Sequence, residues 1–407
     1  MKVTHIANAC CIYESSGYRI LCDPWLTEGA FEGSWYHEHP LRMKAEDLTF
    51  FDALYLSHIH PDHFDVATLK KLPKDVLVII PKGKFMEKPL KEMGYKSILP
   101  LDDGEFHFCG PFKITMYHAF TGHPFFPTEL GNRIDSAIVI EAEGQKILNA
   151  NDNTLDEKSA RHLAFLFDGF DLAQLNYNCA GPYPACFPLI NREEAHKKVL
   201  ARNISHLCKV GEWLQTKAVE PFAGAYRLGG KLHEKNRYLG TMSAEDCKAA
   251  IPYYCKLGVP PFETIVLEEG EIYDLTGGGI KTRYEHLKWS DSIHHAGYPY
   301  EFDSMPERDC RLEYFHSAYK KLREKQCQLN IYPPARVIIN TLDCAVLSRT
   351  SKFTHEIRCT LDPRLFLRIL KGESQWNHAE IGCHIEFERT PEFYLPDVHW
   401  LLNYLHV

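Results

Sequence analysis

The sequence predicts an α/β protein in which two β-sheets are covered by helices. Two observations lead to this fold class. Short apolar runs separated by turn residues dominate the first 150 positions, and segments with helical spacing alternate with them. Because strands and helices that alternate along a chain pack in layers, we expect helices on the faces of both sheets.

The predicted strands come mostly from the first half of the chain. Hairpins are indicated where two apolar runs flank a short turn, as around Ser15-Ser16-Gly17. The predicted strands are Ile6 to Tyr13, Tyr18 to Cys22, Val76 to Ile80, Glu105 to Phe108, Phe112 to Tyr117, Ser136 to Ile140, Lys146 to Asn149 and Asp171 to Asn176.

Three helices are predicted among these strands. Asp65 is a suitable N-cap for a helix from Val66 to Leu72, and a second helical stretch runs from Phe85 to Met93. A long helix, about Arg192 to Gln215, carries apolar side chains at helical spacing.

The sequence pattern changes from about residue 266, where three segments mark loops: Pro260-Pro261, Glu268-Glu269-Gly270 and Gly277-Gly278-Gly279. A charged helical stretch follows from Ser304 to Lys325, and then strand-like segments at Val337 to Thr341, His355 to Leu361 and Ile381 to Phe387. We therefore predict a catalytic domain over residues 1–265 and a smaller α+β accessory domain over residues 266–407.

Composition excludes several classes of protein. The chain has 407 residues, of which 45% are hydrophobic, an ordinary composition for a globular protein. Its net charge of −8 argues against a nucleic-acid binder with a basic face. We expect no membrane partner, because no apolar stretch approaches the ~20 residues that span a bilayer. The 14 cysteines form no Cys-x-x-Cys pair, which excludes zinc-ribbon sites. With no signal-peptide pattern at the N-terminus, we expect a cytoplasmic protein.

The most informative segment is Ser57-His58-Ile59-His60-Pro61-Asp62-His63, directly after an apolar strand. Alternate residues of an extended segment project to the same side, so His58 and His60 can reach one metal ion. Asp62 and His63, beyond the bend at Pro61, turn toward a second ion. A chance cluster is the alternative in a chain with 22 histidines.

Further ligands are expected at strand ends that converge on this loop, since two close cations need several anionic or neutral donors. His123 leaves one strand, Asp152 follows another and can bridge two cations, and His233 follows the segment 221–224. His118 competes with His123, the residues around Asp152 also suit a simple turn, and His233 lies in a charged, solvated stretch.

Other residues are candidates for supporting roles. Asp23 could orient a ligand imidazole through its second nitrogen, or cap a turn. Arg227 and Lys231 could bind an anionic substrate, or lie in solvent. Tyr177 and Asn178 could line the pocket beside the metals, or fill a loop. Aromatic side chains at Trp25, Phe31, Trp35 and Tyr36 suit either a wall of that pocket or the core.

With this ligand set, the chain resembles the metallo-β-lactamase superfamily. The resemblance implies that His58, His60 and His123 hold the first metal, and that Asp62, His63 and His233 hold the second, with Asp152 bridging. It also implies catalytic roles for the two carboxylates of Asp62 and Asp152, and a four-layer αββα sandwich with the metals at one edge.

A narrower resemblance is to the CMP-N-acetylneuraminate hydroxylase family. It rests on the stretches from Cys22 to Phe31, Lys146 to Asn149, Pro221 to Gly224, Leu361 to Pro363 and Trp376 to His378. That family is implied to be an iron-dependent oxygenase of a nucleotide-activated sugar. Its Rieske motifs, Cys-x-His and Cys-x-x-His, do not occur in this sequence. We therefore expect any electrons to come from a separate electron-donor protein.

Imidazole and carboxylate ligands suit both iron and zinc. We therefore expect two divalent ions per chain, with iron favoured and zinc or manganese as alternatives. The favoured function is an oxygenase acting on an anionic small molecule. The alternatives are a metal-dependent hydrolase of an ester, amide or phosphoester and, least favoured, a metal-binding scaffold without catalysis.

Overall fold

Two seven-stranded sheets form the centre of the protein. In the computed structural model, residues 1–120, 134–255, 258–277, 287–340, 343–350 and 352–407 are described. The strands are β1 (Lys2–Ala7), β2 (Cys10–Ser15), β3 (Tyr18–Cys22), β4 (Trp35–Tyr36), β5 (Ala53–Tyr55), β6 (Leu77–Pro81), β7 (Ser97–Leu101), β8 (Phe106–Cys109), β9 (Phe112–His118), β10 (Ser136–Ala142), β11 (Gln145–Asn149), β12 (Leu172–Asn176), β13 (Ala218–Phe222), β14 (Arg227–Leu228), β15 (Glu263–Thr264), β16 (Ile272–Asp274), β17 (Ala335–Ile339), β18 (Asp343–Val346), β19 (His355–Thr360) and β20 (Glu386–Thr390).

The helices cover the outer faces of these sheets and of a smaller third sheet. They are α1 (Ala30–Gly33), α2 (Val66–Lys71), α3 (Glu87–Glu92), α4 (Glu157–Phe167), α5 (Arg192–Trp213), α6 (Ala244–Ala250), α7 (Arg308–Leu329), α8 (Pro363–Leu370), α9 (Trp376–Ile381) and α10 (Pro396–Leu402). As predicted, Asp65 caps α2, and its side chain accepts the backbone N–H of Ala67. Within the described residues, no helix is both long and apolar enough to cross a bilayer.

The order of the strands gives each sheet a mixed parallel and antiparallel character. The first sheet has the order β16-β1-β2-β3-β5-β6-β7, and the second β15-β13-β12-β11-β10-β9-β8. β3, β5 and β6 run parallel, as do β11, β12 and β13. The carboxyl ends of β5, β11 and β12 carry the loops on which the candidate site is built.

Three apolar clusters define four layers. Between the sheets, Tyr13 and Ile20 of the first sheet pack with Ile138 and Leu172 of the second. The outer face of the first sheet packs on α2 and α3, and the outer face of the second on α4, α5 and α6. Burial of both faces of each sheet accounts for their nearly continuous apolar strands. The predicted αββα layer order is confirmed.

The C-terminal part builds its own four-stranded sheet, β18-β17-β19-β20, flanked by helices. Its core is continuous with aromatic side chains of the segment after β3, residues 23–36, which we call the early loop. Trp25, Phe31 and Trp35 of this loop pack in the same buried cluster as Phe366 and Trp376. The early aromatic residues therefore join the two parts of the chain. The proposed division after residue 265 stays a prediction, and β16, which lies beyond it, pairs antiparallel with β1.

Two predicted elements are wrong in detail. Ile6 to Tyr13 is not one strand, because the chain turns at Asn8, whose φ is +50°, and returns as β2. The final predicted strand, Ile381 to Phe387, begins too early, because Ile381 ends α9 and β20 starts at Glu386.

Candidate metal centre

The histidine-rich loop leaves β5 at the edge of the first sheet and is held there by both sheets. The backbone N–H of Ser57 donates to Oδ1 of Asp23, over 2.7 Å. From the second sheet, the hydroxyl of Ser136 donates to the carbonyl of Ser57 over 2.7 Å and lies 2.9 Å from the hydroxyl of Tyr55. The loop is therefore fixed where the two sheets meet.

Hydrogen bonds define which nitrogen of His58 and His63 carries a proton. The hydroxyl of Ser57 donates to Oδ2 of Asp23 (2.6 Å), so it accepts from Nδ1 of His58 (3.0 Å). Nδ1 of His63 donates to the same Asp23 oxygen over 2.8 Å. When neutral, each ring therefore keeps its lone pair on Nε2. Asp23 thus contacts the imidazole of a candidate ligand, the contact considered for it from the sequence.

His60 is oriented from the far end of the chain. Its Nε2 lies 2.8 Å from Oδ1 of Asn377, and its Nδ1 lies 2.9 Å from Nε2 of His58. If Nε2 of His60 donates to the amide oxygen, two nitrogen lone pairs face each other across 2.9 Å. Facing lone pairs repel unless a cation lies beside both, so this arrangement suits a metal ion.

Asp152 follows β11 and faces the same loop. Its Oδ2 lies 3.4 Å from Nε2 of His63, and Asn176, at the end of β12, donates to its Oδ1 over 3.2 Å. The backbone reaches this position through Asn151, whose φ is +49°, a conformation that Asn tolerates better than most residues. The tight turn after the strand thus presents a carboxylate to the loop.

Asp62 lies on the other side of His63. One of its oxygens, Oδ2, is 3.5 Å from Nε2 of His63 and accepts the side-chain N–H of Asn8 over 3.3 Å. Asn8 is the residue at which the first hairpin turns, so the strand break that the sequence did not predict has a structural role. It holds the carboxylate in the site.

Burial sets the charge of these groups. It lowers the pKa of His58 far below the usual value and also lowers that of His60, so both rings are neutral, the form that binds metals. Burial raises the pKa of Asp62 to about 6. For Asp152, burial acts in the same direction, but the charge and hydrogen bond of His63 outweigh it and lower the pKa.

His63 is the most perturbed member of the cluster. Burial by itself lowers its pKa, but the carboxylates of Asp62, Asp152 and Asp23 together raise it well above the usual value. Three acidic groups around one buried ring are a strongly negative environment. A divalent cation would offset that charge.

The residues present fit a metal ion. Nε2 of His63 and Oδ1 of Asp62 are buried without a hydrogen-bond partner, although buried polar atoms are nearly always paired. Two overlapping groups bring their ligand atoms within 4.8 Å of one another. One consists of His58, His63 and Asp152, and the other of His58, His60 and Asp135.

Comparison with known proteins agrees with this geometry. The model of the beta-lactamase superfamily domain matches residues 18–204, which include the histidine-rich loop and Asp152. Residues 18–204 therefore form a domain like that of the beta-lactamase superfamily.

Relatives with curated descriptions extend the likeness beyond this superfamily domain. The cytidine monophosphate-N-acetylneuraminic acid hydroxylase of Danio rerio is 25% identical over 266 residues, which are 62% of this chain and 42% of the relative. A putative Rieske 2Fe-2S iron-sulfur protein of Mycolicibacterium smegmatis is 28% identical over 199 residues, 46% of this chain and 36% of the relative. The chain therefore spans less than half the length of these relatives.

Solved structures with a similar backbone include an isothiocyanate hydrolase from Delia radicum gut bacteria, with a TM-score of 0.48, 20% identity and coverage of 67% of this chain and 99% of that one. Another is CmlA, a diiron beta-hydroxylase from Streptomyces venezuelae, with a TM-score of 0.44, 16% identity and coverage of 65% and 53%.

Not every predicted ligand joins the superfamily site. His123 lies outside the described residues. The alternative, His118, is turned away, since its Nε2 lies 3.1 Å from the carbonyl of Leu101. His233 is not brought to the cluster either. Its Nδ1 lies 3.0 Å from the carbonyl of Gly230, and its ring stacks on that of His294 with centroids 4.2 Å apart.

Asp135 is a candidate ligand that the sequence analysis missed. It is 7% exposed, and its Oδ1 lies 3.8 Å from Nε2 of His58. It directly precedes β10, which runs antiparallel to β11, so the start of β10 lies at the edge where β11 ends. An acidic residue just before the predicted strand at Ser136 was the signal that could have revealed it.

The site opens into a cavity of about 710 Å³. The predicted substrate residues Tyr177 and Asn178 line it, but Arg227 and Lys231 do not. Arg227 lies on β14 opposite Tyr36, and Lys231 forms an ion pair with Glu301 over 2.7 Å, because the segment after β14 packs against the C-terminal part.

Among the described residues that line the cavity, Arg202, on the long helix α5, is the one Lys or Arg. It stands one turn from His206, which also lines the cavity and whose pKa burial lowers to about 4. The aromatic residues Phe31 and Trp35 serve both roles considered for them, because they line the cavity and belong to the core. Trp25 is in the core.

Proposed function

We propose that this protein is a dinuclear iron oxygenase that hydroxylates an anionic small molecule. The observation that carries the proposal is the composition of the two ligand groups. Each contains two imidazoles and one carboxylate beside a large cavity, and the two groups share His58. Two His and one carboxylate with open positions are the ligand set typical of non-haem iron oxygenases.

In this proposal His58, His60 and Asp135 hold one ion, and His63 and Asp152 hold the other, with Asp62 beside it. Two bound irons supply the oxygen and electron chemistry that no side chain provides. The surrounding side chains hold the candidate ligands in position. Asp23 holds the ring of His63, while Asn8 and Asn176 hold the carboxylates of Asp62 and Asp152.

The cavity supports an anionic substrate. Its volume of about 710 Å³ is in the range of sites that enclose a small molecule. Arg202 offers a planar cation suited to a phosphate or carboxylate, and Tyr177 and Asn178 add a wall with polar groups. We therefore assign Arg202, rather than Arg227 or Lys231, to the anionic group.

The relatives support oxygen chemistry as well. Those with curated names are a hydroxylase of a nucleotide-linked sugar and a protein described as a Rieske 2Fe-2S iron-sulfur protein. We propose a separate electron-donor protein as the partner, because hydroxylation with O2 needs electrons that amino-acid side chains do not supply.

A metal-dependent hydrolase is the second candidate. Two His and a carboxylate with an open position also hold catalytic zinc in hydrolases, where the metal acts as a Lewis acid. The observation that favours this candidate is the same ligand set. The identity of the bound metal therefore distinguishes the two functions.

The test is purification without oxygen, followed by metal analysis and Mössbauer spectroscopy on iron-57-enriched protein. The proposal expects two irons per chain with a signal that changes on chemical reduction, and neither iron in a His58→Ala, His63→Ala double variant. Zinc alone, with ester or phosphodiester hydrolysis that is indifferent to oxygen, would overturn the oxygenase and support the hydrolase.

A further inference from the structure

Asn377, in the C-terminal part of the chain, reaches the candidate metal centre. Its Oδ1 lies 2.8 Å from Nε2 of His60, although the two residues are 317 positions apart in the chain. The opposite ring nitrogen, Nδ1, faces Nε2 of His58. Asn377 therefore contacts the ring of a candidate ligand on the side away from the other imidazole.

A neutral imidazole carries one proton, and the partner of one nitrogen decides which nitrogen that is. An amide oxygen accepts, so Nε2 of His60 carries the proton and Nδ1 keeps the lone pair that can bind a metal. If the amide were turned so that its N–H₂ met the ring, the proton would move to Nδ1 and the ligand would be lost.

We propose that Asn377 is a positioning residue that holds His60 in the form that binds metal, so that the C-terminal part completes the metal centre. This inference rests on the metal site of the proposed function. It adds that the ligand set of the superfamily domain depends on a side chain outside residues 18–204.

The backbone around Asn377 is held tightly enough for this role. The neighbouring Trp376 is 1% exposed and packs in the shared core. The indole N–H of Trp35 donates to the carbonyl of Ile381, over 3.2 Å. Asn377 lies between these two anchors, at the start of α9.

The early loop also makes direct contacts with the segment after α9. Nε2 of His384 donates to the carbonyl of Phe31 over 3.0 Å. A Cβ on Gly382 would come within 2.6 Å of that same carbonyl oxygen, so the two backbones touch here. Before the helix, Ser374 donates to Glu32 over 2.6 Å. The early loop and α9 therefore form one rigid support.

The chemistry of the contact gives two variants with opposite expectations. In Asn377→Asp the side chain can only accept, so Nε2 keeps its proton and metal binding is retained. In Asn377→Leu the ring loses its partner. Loss of such a partner typically weakens metal binding 10- to 100-fold.

The experiment measures Zn²⁺ and Co²⁺ binding to the metal-free full chain by competition with a chromophoric chelator. We expect Asn377→Leu to bind one of the two ions 10- to 100-fold more weakly, and Asn377→Asp to stay within about threefold of wild type. Asn403→Leu is the matched control, because Asn403, directly after α10, lines the same cavity, and we expect the variant to bind both ions as wild type does.

Nitrogen-15 spectra of labelled histidine give a second readout, since the shifts of Nδ1 and Nε2 report the proton position. We expect the resonance that His60→Gln removes to show an Nε2 proton in wild type and Asn377→Asp. This comparison carries the test if Asn377→Leu fails to fold. Wild-type affinity in Asn377→Leu, or equal weakening in both variants, would overturn the inference. If wild type itself bound no metal, the proposed function would fail first.

Discussion

One oxygen of Asp23, Oδ2, lies 2.8 Å from Nδ1 of His63, while its other oxygen accepts the backbone N–H of Ser57 over 2.7 Å. A single buried carboxylate thus orients a candidate ligand and fixes the backbone from which the histidine-rich loop departs. Asp23 has a φ of +38°, so the chain takes an uncommon conformation to present it. Asp23 therefore supports the candidate metal centre through its contacts with Ser57 and His63, without being a ligand itself.

Replacing Asp23 by Asn should weaken metal binding while the protein still folds. The amide keeps one acceptor oxygen but removes the charge that makes the ring of His63 a better donor, and we expect 10- to 100-fold weaker binding of one ion. Chelator competition with Zn²⁺ measures this loss. Asp75→Asn, at an exposed ion pair with Lys96, is the control. Unchanged affinity in Asp23→Asn would show that the contact only stabilises the loop.

Asp135 should be needed for one of the two ions. Asp135→Asn removes a carboxylate beside His58, and we expect the number of bound irons per chain to fall from two toward one. Metal analysis after anaerobic reconstitution checks this. Asp168→Asn is a suitable control, because Asp168 is exposed and has a φ of +53°, which Asn accepts. Two tightly bound irons in Asp135→Asn would remove Asp135 from the ligand set.

Arg202 should bind the anionic group of a ligand in the cavity. Replacement by Met keeps much of the side-chain volume and removes the charge, so we expect at least tenfold weaker binding of inorganic phosphate as an anionic probe, or about 1.4 kcal/mol. Isothermal titration of the metal-loaded protein measures it. Lys231→Met should bind within twofold of wild type, since Lys231 is paired with Glu301. The assignment fails if Lys231→Met is the weaker binder.

Acid should destabilise the protein partly through His384. Burial lowers the pKa of this ring to about 3, and as a neutral ring it donates to the carbonyl of Phe31 and accepts the hydroxyl of Tyr300. The unfolded chain takes up a proton below its pKa of ~6.5, whereas the folded chain does not. The free energy of unfolding therefore falls by about 1.4 kcal/mol per pH unit between pH ~6.5 and about 3.

The measurement is urea unfolding of metal-free protein at pH 7 and pH 5. His384→Gln should be less stable than wild type at pH 7, because it loses a hydrogen bond, but its stability should fall about 2 kcal/mol less on acidification. Equal losses in the two proteins would mean that His384 takes up its proton without unfolding.

Local patterns predicted the parts of the molecule that depend on nearby residues. The hairpins, the capped helix after Asp65 and the grouping of His58, His60 and His63 follow from turn chemistry, capping and alternation within a few residues. Asp152 was predicted for the same reason, because it directly follows a strand that ends at the shared edge of the sheets.

What was missed depends on contacts between distant segments. Asn377 reaches His60 only because the C-terminal part packs on the early aromatic loop, and no spacing in the sequence reports that contact. His233 was placed wrongly because a histidine after a strand was taken to face the metals, whereas its segment packs against the C-terminal part. Arg202 was overlooked because it lies on a helix with many charged residues, where cavity-facing and solvent-facing positions look alike.

The pairing of β16 with β1 bears on how shorter pieces of this protein can be made. A fragment that stops at residue 265 would lack Ile272–Asp274, and the backbone groups that Lys2, Val3 and Thr4 direct toward that strand would lose their partners, while the other edge of β1 would stay paired with β2. Edge strands with unpaired backbone N–H and C=O groups favour self-association. Such a fragment would accumulate as oligomers or precipitate during expression, even though every histidine of the loop is still in it.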